Sequence, residues 1–572
     1  MTMSTPSSPF VPSSLTTLAA RIEAAAGRPS GPAGSRAGRI TFVAGDDETH
    51  ASWAELHDDA RGMAAALQAR GVAPGDHVAV LGPTTRRLVT AMQAIWLSGA
   101  TLVVLPLPMR LSSIEQFVLQ TRARILRADI SLVLVDADLA PFIEPVPGDP
   151  PMVLLDDLAA ESVRLGADRF DRPADDPDAI AVLQFTSGST AEPKGVVLSN
   201  RAVCANLDAI EEAALLDRDD DVMVSWLPLY HDMGLIGFWT LPVSTGTDLV
   251  LGAPQDFLAR PARWMEWLSR HGGTATAGPN FSWVLATRAL RRAEVLDLSR
   301  LRIALNGAEP VDPASVEAFV EAGARHGMRP GAVFPAFGMA EVAIAGTFPV
   351  PLTGLQVDSV DLRVLETEGY AAPISADAEG QRSFVVLGRP VPGLEIRVVD
   401  REDGRPLADR EAGELEIRGT SVTAGYYRNE EATRALFHDG WLRTGDLAYL
   451  LDGQLVICGR LKDVIIIGGR NVFPEDIERG VAEVEGVRPG NVIAFGVEGA
   501  KGRETLVVVA EVRSDDHDTV RKEVHRRVME VSGVPPHEVL LVAPGSLPKT
   551  SSGKLQRSTC RERYHADELQ PA

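Results

Sequence analysis

Short apolar runs alternate with stretches of helical period through the first half of the chain. Residues 39–45 and 77–82 are runs of the strand kind, and residues 54–69 between them carry apolar positions at helical spacing and close on Gly71. The same rhythm predicts helices at 88–97, 202–214 and 263–271, and strands at 100–105, 130–135, 179–185, 196–198, 221–227, 247–251 and 301–306. Strands separated by helices in this way build βαβ units and parallel sheets.

From about residue 383 to 455 the rhythm changes to short strands (393–400, 413–419, 441–450, 453–458) with Gly/Asp turns, the pattern of a small antiparallel or barrel-like layer. Beyond Asp463 a compact unit follows, with strands at 464–467, 491–496, 506–512 and 538–542 and helices at 474–483 and 518–531. The expected fold class is α/β: a large N-terminal domain of parallel βαβ sheets plus a β-barrel-like layer, then a smaller α+β C-terminal domain. The expected division is a disordered tail (1–15), an N-terminal domain (16–459), a hinge (460–463) and a C-terminal domain (464–572).

A chain of 572 residues is too long for one core. The net charge of −22 offers no basic face to a phosphate backbone, which argues against a nucleic-acid partner. The cysteines, Cys204, Cys458 and Cys560, lie far apart with no C-x-x-C spacing and suit a reducing compartment. The N-terminal stretch has neither a basic n-region nor an apolar h-region, and no apolar run reaches bilayer length. A soluble, cytoplasmic enzyme is expected, with no stable membrane insertion.

The chemistry concentrates in residues 185–199, F-T-S-G-S-T-A-E-P-K-G-V-V-L-S. Thr186, Ser187, Ser189 and Thr190 crowd hydroxyls around Gly188, Lys194 follows, and apolar runs flank the loop on both sides. Glycine admits an anion close to the backbone, hydroxyls and N–H groups donate, and lysine supplies charge, so the first inference is a phosphate grip. A flexible turn has the same composition, and no Gly-Lys-Ser/Thr closes the loop as in a P-loop. Other polar clusters end predicted strands: His231-Asp232, Asn306-Gly307-Ala308-Glu309-Pro310, Phe337-Gly338-Met339-Ala340-Glu341 and Thr444-Gly445-Asp446. Open α/β sheets place their ligands at such strand ends. Two further segments stand out, Gly459-Arg460-Leu461-Lys462-Asp463 and the C-terminal loop P-K-T-S-S-G-K-L-Q-R at 548–557.

In order and context these segments resemble the signature motifs of the adenylate-forming enzymes: acyl-CoA synthetases, peptide-synthetase adenylation domains, luciferases and fatty acyl-AMP ligases. The resemblance covers nearly the whole chain after residue 35. It implies ATP and Mg²⁺ as cofactors, with Thr186, Ser187, Gly188, Ser189, Thr190 and Lys194 on the phosphates. Asn306, Gly307, Ala308 and Glu309 would bracket the adenine, Phe337 would stack on it, and Gly338, Met339 and Ala340 would complete that wall. Glu341 would hold the metal, Asp446 the ribose hydroxyls, and Arg460 the ribose or phosphate. Lys462 would be the pivot of a mobile lid, His231 would lie near the substrate carboxylate, and Lys554 would bridge that carboxylate and the α-phosphate. Ala191, where the family often has glycine, is a departure.

Which branch is resembled turns on three features. Residues 225–229 are uncharged, which disfavours an amino-acid substrate, and the apolar Trp226, Ile236, Phe238 and Phe281 suit an acyl chain. The wording W-L-P-L-Y-H-D-M-G-L-I-G (226–237) is closest to the fatty acyl-AMP ligases. The extra segment around residues 356–372 resembles the insertion associated in those enzymes with restricted domain rotation and delivery to a carrier protein. The expected function is therefore activation of a fatty acid to acyl-AMP, followed by transfer to the phosphopantetheine of an acyl carrier protein. The Gly468-Gly469 pair points the other way, toward CoA as acceptor, and a non-catalytic adenylate-binding protein is the remaining alternative.

Overall fold

The apolar runs of the first half are strands, and the central ones are buried from end to end. The computed structural model describes residues 10–28, 38–108, 114–143, 145–186, 193–468, 470–499, 504–549 and 554–572. Six strands form one sheet in the order Met152–Leu154, Ile130–Val135, His77–Leu81, Thr101–Val104, Ile180–Phe185, Gly195–Ser199. Seven form a second, in the order Val333–Pro335, Ile303–Asn306, Ala275–Gly278, Val222–Ser225, Asp248–Gly252, Arg39–Ala44, Asp47–Ser52. Pairing is parallel in both sheets except at one edge of each. Every residue of His77–Leu81, Thr101–Val104, Val222–Ser225 and Ala275–Gly278 is buried, because helices cover both faces.

Helix starts follow the sequence. Ser52 and Glu55 form a reciprocal capping box at Trp53–Ala69, and Thr85 and Ser199 cap Arg86–Leu97 and Asn200–Ala213. The antiparallel edges are where the reading of uniform parallel sheets needs amendment. Asp47–Ser52 (D-E-T-H-A-S) is a polar edge strand with no apolar alternation to betray it. Ile180–Phe185 and Gly195–Ser199 form a hairpin, and the hydroxyl-rich loop joins its two strands. Among the described residues, no helix is long and apolar enough to cross a membrane.

The barrel-like layer is antiparallel as expected: Leu394–Val399, Gly413–Gly419, Trp441–Leu451 and Gln454–Arg460 pair in sequence order. The extra segment is a structured element. Val357–Asp361 pairs antiparallel with Gln381–Val385, and Asp361 caps a helix, Leu362–Glu368, that stops at Gly369 with φ +67°. The last part of the chain is a hairpin (Ile465–Ile467, Arg470–Val472) and a three-stranded sheet (Val487–Glu498, Glu504–Val512, Glu538–Val542) flanked by helices Pro474–Val481, His517–Ser532 and Arg557–His565. Gly468 takes φ +62° at the hairpin turn, and Gly469 lies outside the described residues.

One apolar cluster crosses the expected division. Val360, Leu365 and Phe384 of the extra segment and its partner strand pack with Leu447, Tyr449, Val456 and Cys458 of the barrel-like layer and with Val464 and Phe473 beyond it. Buried charge runs along the same seam. Arg382 and Asp476 pair at 2.9 Å, both under 10 % exposed, with the guanidinium 4.3 and 4.5 Å from the ring centres of Phe384 and Phe473. Glu366, also buried, accepts from Arg470 at 2.5 Å, and Arg470 reaches on to the Ser532 carbonyl.

Candidate active site

The doubly wound sheets bring strand ends from distant parts of the chain to one place. The hairpin carries the first of them. The Thr186 amide donates to the Lys194 carbonyl at 3.0 Å, closing the base of the hydroxyl-rich loop. Ser187, Gly188, Ser189 and Thr190, expected on the phosphates, lie outside the described residues, as does the stretch 550–553 before Lys554. The Lys194 ammonium lies 4.8 Å from the centre of the Tyr426 ring.

After Val222–Ser225 the chain turns into Met233–Thr240, a π-helix that the sequence reading did not anticipate. Gly234 permits it, since a Cβ there would come within 2.3 Å of the Pro228 carbonyl oxygen. The turn aims His231 and Asp232 together, Nδ1 to Oδ1 at 2.6 Å. Burial pushes the Asp232 carboxyl up, but His231 and Lys554 outweigh it and hold the group below its ordinary range. Ile236 and Phe238 are buried. Trp226 stacks on Phe257, with ring centres 3.8 Å apart, and Phe257 continues through Trp264 and Trp283 to Phe319.

Beside this, Ile303–Asn306 ends in the Asn306–Pro310 turn. Ala308 takes φ +69°, a conformation that L-residues adopt at a cost and that clusters at functional sites. Asn306 is buried. Its amide nitrogen donates to Asn280 at 3.1 Å, while its Oδ1 has no hydrogen-bond partner among the described residues. The Phe281 amide donates to Glu309 Oε1 at 2.8 Å, so this expected pocket residue is also tied to the turn. Burial pushes the Glu309 carboxyl up, offset in part by that amide and by Lys554. Phe337 is buried in the strand Phe337–Gly338. Gly338 is required there, because a Cβ would lie 2.0 Å from the Ile344 carbonyl oxygen. Met339 and Ala340 lead on to Glu341, whose Oε1 accepts from the Tyr426 hydroxyl at 2.9 Å.

The barrel-like layer supplies Asp446 and Arg460, cross-strand partners joined at 2.8 Å. Asp446 is buried, and its Oδ2 has no hydrogen-bond partner among the described residues. Burial raises its pKa, with Arg460 opposing. A buried carboxylate oxygen without a donor is costly, and hydroxyl groups of a ligand would relieve it. Lys462 sits in the following turn with its surface exposed, and the Leu461 amide is anchored to the Gly445 carbonyl at 2.9 Å.

The most distant contribution is Lys554. Its charge is felt by Asp232 and Glu309, residues more than 200 positions earlier, so Lys554 shares their cleft. Burial of the ammonium lowers its pKa more than Asp232 and Glu309 raise it. Three positions on, Arg557 pairs with Asp463 at 2.6 Å, Glu478 at 2.9 Å and Glu475 at 3.5 Å. Glu478 and Tyr426 belong to no motif, and Arg557 closes the 548–557 segment without an expected role, because no local pattern marks partners so far apart in the chain.

The arrangement thus gathers Lys194 at the base of a loop, four carboxylates (Asp232, Glu309 and the buried Glu341 and Asp446), and a lysine delivered from the C-terminal unit. Comparison with known proteins gives the family. A family model described as AMP-binding enzyme matches residues 32–427. The long-chain-fatty-acid–AMP ligase FadD26 of Mycobacterium marinum is 32% identical over 548 residues, covering 90% of this chain and 91% of that protein. The 4-hydroxyphenylalkanoate adenylyltransferase of the same organism is 32% identical over 552 residues, covering 90% and 86%. Among solved structures, one from a study of fatty acyl-adenylate ligases from E. coli and L. pneumophila superposes with a TM-score of 0.88 at 30% identity, covering 98% of this chain and 99% of that one.

Proposed function

The chain belongs to the AMP-binding enzyme family, and on that premise we propose that it is a fatty acyl-AMP ligase that delivers its acyl group to the phosphopantetheine thiol of a carrier protein. The observation that carries the first half is the convergence of Lys554 with Asp232 and Glu309 in the cleft that Asp446 and Arg460 also line. In the first step a carboxylate oxygen attacks the α-phosphorus of ATP, the new O–P bond forms, and the bond to the β-phosphate oxygen breaks to release pyrophosphate. Both reactants are anions, so the work is neutralisation and alignment. Lys554 supplies positive charge where carboxylate and α-phosphate meet, Lys194 supplies it on the loop side, and His231 borders the carboxylate. Asp446, through its unpartnered oxygen, accepts from the ribose, while Asn306 to Glu309 and Phe337 to Ala340 hold the base.

Glu341 fits a magnesium ion. It is a buried carboxylate, and Mg²⁺ is bound through one or two carboxylates with substrate phosphates and water completing the shell. When bound, Mg²⁺ neutralises phosphate charge as pyrophosphate leaves. Lys462 and its neighbours 460–463 serve as the hinge between residues 16–459 and 464–572.

The second half of the reading rests on the extra segment. The buried Arg382–Asp476 pair, and the pair of buried Glu366 with half-buried Arg470, join it and its partner strand to the C-terminal unit. Such ties oppose large rotation of that unit, which favours a tethered thiol over free CoA. In the second step the thiol gives up its proton to solvent, the sulfur attacks the acyl carbonyl carbon, the C–S bond forms, and the C–O bond to AMP breaks, so that AMP leaves as its anion.

Product analysis by mass spectrometry tests both halves. With ATP, Mg²⁺ and a ladder of fatty acids, acyl-AMP is expected to accumulate in the presence of CoA and to discharge onto a phosphopantetheinylated carrier protein. Rapid acyl-CoA formation would sink the carrier half alone. No adenylate from any acid would sink the whole reading. Replacing Asp446 by alanine is expected to raise the KM for ATP by roughly tenfold, the value of a charge-assisted hydrogen bond lost on binding; an unchanged KM in steady-state kinetics would remove Asp446 from the ribose site.

A further inference from the structure

The segment Thr423–Arg428 (T-A-G-Y-Y-R) belongs to none of the motifs singled out in the sequence, yet it touches both flanks of the phosphate region. Its backbone runs against the strand that leaves the hydroxyl-rich loop. The Tyr427 amide donates to the Gly195 carbonyl at 2.8 Å, the Val197 amide donates to the Gly425 carbonyl at 3.0 Å, and Tyr426 bridges Val196 in antiparallel fashion. The Thr423 hydroxyl donates to the Val197 carbonyl at 2.6 Å, and the Thr423 amide donates to the Glu341 carbonyl at 2.7 Å. From this frame the Tyr426 side chain extends between two charged groups. Its hydroxyl donates to Glu341 Oε1 at 2.9 Å, and its ring face lies 4.8 Å from the Lys194 ammonium.

We propose that Tyr426 is a positioning residue for the phosphate end of the site, setting the metal-binding carboxylate of Glu341 with its hydroxyl and the ammonium of Lys194 with its ring. The inference rests on the adenylation reading above. A buried carboxylate has several rotamers, and a donor on one oxygen selects the rotamer and directs the remaining lone pairs. An ammonium above a tyrosine face is attracted by the ring quadrupole and loses side-chain freedom before any phosphate arrives. Because the ring hangs from residues bonded to Gly195 and Val197, the loop strand, Lys194 and Glu341 move as one assembly. A packing role alone would need the ring and not the hydroxyl.

Two variants separate these contributions, read with Mn²⁺ as the metal probe and α,β-methylene-ATP as the nucleotide, so that no turnover is involved. In Tyr426→Phe the ring remains and only a hydroxyl at a half-buried position is lost, so the variant is expected to fold with an unchanged melting profile. Its nucleotide-dependent Mn²⁺ affinity, measured by electron paramagnetic resonance, is expected to fall about tenfold. Its affinity for α,β-methylene-ATP at saturating Mg²⁺ is expected to stay within about twofold, since the ring under Lys194 is intact. Tyr426→Leu is expected to weaken both. Glu341→Gln is the reference. If it weakens Mn²⁺ binding while Tyr426→Phe leaves that binding unchanged, the role of Tyr426 is overturned and the metal reading of Glu341 stands. If Glu341→Gln itself leaves Mn²⁺ binding unchanged, the metal reading falls and this inference with it.

Discussion

Replacing Lys554 by alanine lowers the rate of acyl-adenylate formation by roughly 100- to 1,000-fold while ATP binding stays within about threefold: that is the expected result, and it is the largest single effect on chemistry that the structure implies. The effect is one of charge. A carboxylate attacking an α-phosphate brings like charges together, and Lys554 is the cation whose field reaches Asp232 and Glu309. In the proposed function ATP is held mainly through Asp446 and the Asn306–Glu309 and Phe337–Ala340 stretches, contacts that loss of the Lys554 ammonium leaves in place. Acid-dependent pyrophosphate release measures the first quantity and equilibrium binding of a nucleotide analogue the second; a variant that adenylates at the native rate would refute the mechanism. The same lysine predicts a pH profile. Burial depresses its pKa, and the ammonium is the working form, so activity is lost as pH rises through that depressed value. The alkaline limb should therefore lie below the ordinary lysine range of about 10.4.

The largest expected effect on stability belongs to Arg557. Its guanidinium is the shared counter-charge of Asp463, Glu475 and Glu478, and its side chain is only 17% exposed. Arg557→Met leaves those carboxylates facing one another in a poorly solvated site, at a cost of about 3–5 kcal/mol near neutral pH. The cost depends on pH in a definite sense. Burial and then Glu475 push the Glu478 carboxyl up to about 7 even with Arg557 in place, because the arginine only partly offsets them. A carboxyl raised above its unfolded value of 4.5 contributes stability below that pH, and the contribution is lost as pH rises through the folded value. Without Arg557 the folded value rises further, so the deficit should be small near pH 5 and grow toward pH 8 in denaturant melts. Arg557→Met combined with Glu478→Gln should recover part of it. A deficit independent of pH would mean that packing, and not charge, is what Arg557 supplies. The variant should also adenylate poorly, since Arg557 ties the segment bearing Lys554 to Asp463 and to helix Pro474–Val481.

How much of this was legible in the sequence follows from the range of the interactions involved. Parallel strands such as His77–Leu81 announce themselves because burial on both faces demands an unbroken apolar run. The polar edge strand Asp47–Ser52 does not, since its partner hides only one side and its residues are solvated. The π-helix Met233–Thr240 is apolar nearly all round, so no periodicity distinguishes it, and its cause, the approach of Gly234 to Pro228, is tertiary. Residues that belong to motifs could be singled out because each motif is local. Lys554 is influenced by Asp232, Glu309 and Arg460, and Arg460 pairs with Asp446. The supporting residues were not found, because Tyr426 and Glu341 are 85 positions apart and Arg470 and Glu366 are 104 apart. Pairing over such separations is decided by topology, and a single sequence does not display it.

The seam between the two units has a further consequence for how the chain can be divided. Val464 and Phe473 sit in one apolar cluster with Tyr449, Val456 and Phe384, and Arg382 is held between rings contributed from both sides. A cut at residues 460–463 would therefore leave an oily strip and an orphaned ion on each half. The two pieces would be expected to stick to one another, or to their own kind, and the boundary that reads most clearly as a linker is a poor place to end a fragment.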